Sequence, residues 1–195
     1  MNKLFKAKHE LWLHVNFASF AIDDEEIKSR LYDFAQIQFR HMKWIADDVL
    51  NSGANYNYDR DMMLYKRENV FDVIEALKDE INKTISLYEK NTLTERLRTD
   101  DEYLLEYLNQ TLSDIKNNQP ISAFNMKREY LDKNLEPEQI DALTLFLFEE
   151  SYKEYELILV YAYMQARTKN ITEFSVYQDL IDESHFHLKS FANMM

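Results

Sequence analysis

Apolar residues recur with helical spacing over six stretches of this chain, and one intervening stretch shows no period. The stretches run roughly Asn2 to Ile22, Glu25 to Leu50, Asn69 to Glu89, Thr94 to Lys116, Pro137 to Arg167, and Thr172 to the C-terminus. Asp23 and Asp24 form a tight acidic connection, with Asp24 suited to cap the second helix. Asn51, Ser52 and Gly53 end that helix. Ala54 to Arg67 is polar, tyrosine-rich and aperiodic, which predicts a crossover loop. Thr99 marks a candidate break in the fourth helix, Asn117 to Pro120 a turn, and Ser122 to Asp132 a short extra helix. Pro137 stands in the first turn of the fifth helix, where its missing N–H costs nothing. The pattern resolves into three hairpins, and the tight turns of the first and third force antiparallel neighbours.

Composition narrows the class. One glycine and two prolines are too few for the turns of a β-rich protein, so the fold is expected to be all-α. A length of 195 residues suits a single helical domain, and 46% hydrophobic content argues against disorder. The net charge of −12 disfavours nucleic acid and anionic membranes as partners, since phosphate contacts need clustered Lys and Arg. With no cysteine, any metal must take carboxylate, imidazole, amide or water ligands. No apolar run reaches the roughly 18 residues of a membrane span, and Met1 to Glu10 lacks a signal-like apolar stretch, so a cytoplasmic location is expected.

One arrangement occurs twice. Glu10 is followed 28 residues later by Gln38-Phe39-Arg40-His41, and Glu154 is followed 28 residues later by Asp182-Glu183-Ser184-His185. Residues i and i+3 share a helix face, so each second-helix pair can converge on one point. In both hairpins the acid and the x-x-His pair lie at about the same distance from the turn. Ile37, Trp44 and Ile45 mark the His41 face as inward. Glu150 shares the Glu154 face, and His14 lies one turn from Glu10, so both are further candidates. His9 and His187 are expected to be exposed, and Tyr32, Trp44, Tyr161 and Tyr163 to be core more often than functional. In the middle hairpin, Glu80 is a possible ligand. Asp101-x-x-Leu104 lacks the histidine and sits at the wrong height, which makes the fourth helix a poor donor.

These motifs resemble the ferritin-like superfamily, especially its bacterioferritin- and rubrerythrin-type members. The resemblance rests on Glu10, Gln38-x-x-His41, Glu154 or Glu150, and Asp182-x-x-His185, with Glu80 and Tyr88 similar to the family's third helix. It implies an antiparallel four-helix bundle with two additional helices, completed by either the middle or the last hairpin. The last is preferred, since it supplies the second histidine. It further implies a di-iron or di-manganese site that oxidises iron, reduces peroxide or uses oxygen, in a possible homo-oligomer. Gln38 and Asp182 depart from the family's glutamates. Two alternatives stand beside it: a metal-free helical interaction or scaffold protein, and a heme-oxygenase-like metal oxygenase. The latter ranks lower because Phe34, seven residues before His41, cannot be a ligand.

Overall fold

The computed structural model describes residues 2–61, 69–115, 120–121 and 135–195. Six helices account for most of them: α1 (Asn2–Ala21), α2 (Glu25–Asn51), α3 (Val70–Ile85), α4 (Thr92–Asp114), α5 (Pro137–Gln165) and α6 (Ile171–Met194). Among the described residues there is no strand, only an isolated bridge between Asn69 and Pro120. None of the helices is long and apolar enough to cross a membrane. The expected short helix at 122–132 and the end of the crossover loop, 62–67, lie outside the described residues.

Local chemistry sets the boundaries. Asp24 accepts hydrogen bonds from the Glu26 and Ile27 N–H groups, which otherwise have no partner in the first turn of α2. Asp24→Ala is expected to cost about 1 kcal/mol, read as a lowered urea midpoint at unchanged slope. Asn91 and Thr94 form a reciprocal capping box that starts α4 two residues before the expected Thr94. α3 stops at Ile85, four residues short of expectation, and residues 86–91 turn the chain instead. α4 runs unbroken through Thr99, whose hydroxyl bonds back to the Glu95 carbonyl.

Chain contacts divide the molecule into two compact units, residues 1–122 and 123–195. In the first, α1 packs on α2 and α3, and α4 packs on α3 and α2, a closed ring of four neighbours. Its core holds Leu11, Trp12 and Val15 of α1, Leu31, Met42 and Ile45 of α2, Ile74 and Ile81 of α3, and Leu97, Leu104 and Leu108 of α4. The aperiodic 54–61 segment lies against α1, with the Tyr56 and Tyr58 rings 4.5 and 5.5 Å from Phe5. In the second unit α5 and α6 pack on each other around Leu147, Ile158, Leu159, Ile181 and Leu188. A pair of helices covers only one side of each member. Leu145, Phe146, Tyr152, Ile171 and Phe186 are accordingly exposed.

Candidate functional site: a buried lysine-centred cluster

On α1 the spacing Leu4, Lys8, Leu11, Val15 places a lysine inside an apolar stripe, and Lys8 is fully buried. On α4 the stripe Leu97, Asp101, Leu104, Leu108 does the same with an aspartate, also fully buried. On α2 Gln38 and His41, three residues apart, share the inward face expected of them, and both are fully buried. Tyr88, from the turn between α3 and α4, completes the group.

The Lys8 Nζ donates to Gln38 Oε1 and to both Asp101 oxygens at 2.7 Å each, and lies 3.3 Å from His41 Nδ1. Three N–H groups thus serve four acceptors, one being shared across the carboxylate. Gln38 Nε2 donates to Asp101 Oδ1 at 2.9 Å, and the Tyr88 hydroxyl donates to Asp101 Oδ2 at 2.5 Å. His41 Nε2 lies 2.9 Å from Asp100 Oδ2. A lysine ammonium can only donate, so this network assigns the His41 proton to Nε2, which donates to Asp100. Asp100 is partly exposed and is the cluster's link to the surface.

Burial pushes the Lys8 amine down, against the pull of the Asp101 charge. Burial also pushes the His41 imidazole down to about 4, helped by the Lys8 charge and opposed by Asp100 and Asp101. Burial and the Asp101 charge raise the Tyr88 phenol. The hydrogen-bond geometry is that of an ammonium and a carboxylate bridged by a neutral amide, imidazole and phenol. A cavity of about 210 Å³ opens elsewhere in this unit, lined by Lys3, Leu4, Leu87, Glu89, Asn91 and Thr94, and none of the cluster residues lines it.

The other expected site residues of the first unit lie apart from this centre. Glu10 is two residues from Lys8, about 200° around α1, and its Oε1 accepts the Asp61 N–H at 2.6 Å. Lys6 pairs with the Asp61 carboxylate at 2.5 Å, so Lys6 and Glu10 together hold the 54–61 segment. His14 and Glu80 do meet, 3.7 Å apart across α1 and α3, and His14 lowers the Glu80 carboxyl. His9, expected at the surface, is fully buried, with its ring 6.0 Å from Trp12 and 5.6 Å from Tyr58. The aperiodic segment covers it, which helical periodicity could not foretell. Burial and the nearby Arg60 charge push its imidazole down to about 4.

In the second unit Glu154 meets His187, not His185: Glu154 Oε1 is 3.1 Å from His187 Nδ1. His187, expected on another, exposed face, is partly covered by this contact. His185 is buried near the inner face of α6, whereas Asp182 is exposed and accepts from Gln178 Nε2 at 2.8 Å. Glu150 pairs with Lys153 at 2.6 Å. Tyr163 is exposed, stacked under the Arg167 guanidinium.

Among the described residues no three His, Asp or Glu side chains gather as a metal ion would require. In the first unit the donors that do converge, an amide, an imidazole and one buried carboxylate, are spent on the Lys8 ammonium. They fit a single organic cation and not a dinuclear metal centre. Sequence reasoning passed over Lys8 and set aside Asp101. The signal was present in both: opposite charges at core positions of two helices that otherwise keep their apolar spacing. No protein family, curated protein or solved structure matches the chain.

Proposed function

We propose that the protein is a helical interaction or scaffold protein that works without a metal cofactor. The observation that carries this reading is the Lys8 ammonium at the point where Gln38, His41 and Asp101 converge. A chain that supplies its own buried cation gains a fixed helix register, a role attested for buried polar groups in bundles, and holds no open coordination position there. Apolar side chains left exposed on α5 and α6, among them Leu145, Phe146 and Phe186, support a role in contacts with other molecules.

A ferritin-like iron or manganese protein is the second reading. It is favoured by the convergence of Gln38 and His41 with a carboxylate, a hard oxygen and nitrogen donor set. Metal analysis separates the two. After anaerobic loading with ferrous iron, and separately with manganese, the purified chain is expected to retain less than about 0.2 equivalents. One or more equivalents, lost in the His41→Ala variant, would establish the metal reading instead.

A further inference from the structure

Trp44 of α2 has two guanidinium groups over its ring. The Cζ of Arg40, one turn earlier on α2, is 5.6 Å from the indole centre, and that of Arg96 on α4 is 4.6 Å from it. Both arginines are exposed. Among the described residues neither makes a hydrogen bond or ion pair with a carboxylate, whereas the neighbouring Arg98 has Glu102 at 3.9 Å. The chain carries 35 acidic residues against 23 basic ones, yet among the described residues these two arginines share one ring and no carboxylate. An indole face holds a guanidinium through its quadrupole and leaves the in-plane N–H groups free to donate.

The supports of this patch are fixed. The His41 ring packs 5.6 Å from Trp44, and His41 Nε2 bonds Asp100 of α4, tying the helix of Arg40 to the helix of Arg96. Two guanidinium forks on one aromatic plate suit carboxylates, which they can bind in bidentate fashion. A long polyanion or an anionic membrane would meet the field of a chain carrying −12, whereas a short acidic segment meets mainly the local patch.

We propose that the α2–α4 face centred on Trp44 binds a short acidic peptide segment of a partner protein, with Arg40 and Arg96 each taking a carboxylate. This surface rests on the interaction reading and gives that partner a chemistry. Its test reads peptide affinity while that reading's test reads metal content, so either can fail alone.

The probe is a fluorescein-labelled decapeptide of alternating glutamate and phenylalanine, titrated with the full chain and followed by anisotropy. Saturable binding is expected at about 50 mM salt, weakening severalfold at about 300 mM. The Arg40→Gln and Arg96→Gln double variant is expected to bind about tenfold more weakly or worse, with a melting temperature lowered by no more than a few degrees because both side chains are exposed and lose only their contact with the Trp44 ring. Equal affinity in the double variant would overturn the proposal. So would equal binding of a glutamine–phenylalanine peptide, or tighter binding of a single-stranded oligonucleotide of the same length.

Discussion

Replacing Asp101 by alanine is expected to cost about 3–5 kcal/mol of stability. The reason is what it leaves behind. Asp101 accepts from Lys8, Gln38 and Tyr88, and all of these donors are buried. Its removal strands an ammonium, an amide N–H and a phenol O–H with no water to turn to. A loss of that size approaches the whole stability of a typical domain, so the variant should be largely unfolded near 37 °C. Lys8→Met leaves the complementary charge and is expected to cost nearly as much.

The Lys8→Met and Asp101→Leu double variant separates this explanation from simple loss of packing. With both charges gone, the desolvation penalty goes with them, and stability is expected within about 2 kcal/mol of the parent. The costs of Lys8→Met and of Asp101→Leu, each measured singly, would then exceed the double cost by several kcal/mol, a coupling that urea titrations of the parent, these two single variants and the double variant measure. An Asp101→Ala variant within about 1 kcal/mol of the parent would show that the pair is not buried as described. Tyr88 and Gln38 still lose a partner in the double variant, so full recovery is not expected.

Acid is expected to destabilise the first unit as pH falls below about 6.5. His9 and His41 are held neutral in the fold, each with its imidazole pushed down to about 4. The unfolded chain takes up those protons near pH 6.5 and the folded chain only near pH 4. Between these values the unfolded state binds more protons, so stability falls as pH falls through that window. The loss is about 2–3 kcal/mol for each histidine by pH 4.5. Asp47, raised by burial, acts weakly in the opposite sense, while Glu80, lowered by His14, adds to the loss below its unfolded value. Urea midpoints measured from pH 7 to pH 4.5 should fall steadily, and the His9→Gln and His41→Gln double variant should show a much flatter profile. A parent protein equally stable at pH 7 and pH 5 would mean that the histidines are not buried neutral.

The same two histidines show how far each kind of information reaches. His41 was legible as inward because its neighbours on α2 repeat with helical spacing, and that spacing is a local property. His9 was not, because the residues that cover it come from the aperiodic 54–61 segment, whose course no periodicity encodes. The Glu154 and His187 contact was missed for a related reason. Residue counting from the α5–α6 turn fixes height but leaves the rotation of each helix about its axis undetermined, and one residue of rotation turns a side chain by about 100°.

The sequence by itself determined the six helices, the Asp24 cap, the hairpin pairing and the inward face of Gln38 and His41. Each follows from propensity, capping or spacing within one short stretch. Only the tertiary structure decided what meets Gln38 and His41. Packing of Leu11, Trp12 and Val15 rotates α1 so that Lys8 faces them and Glu10 faces the 54–61 segment. Packing of Leu97, Leu104 and Leu108 brings Asp101 to the same point from α4. A charge at a core position is affordable only beside its opposite. The sequence shows each charge, and the fold alone shows that they meet.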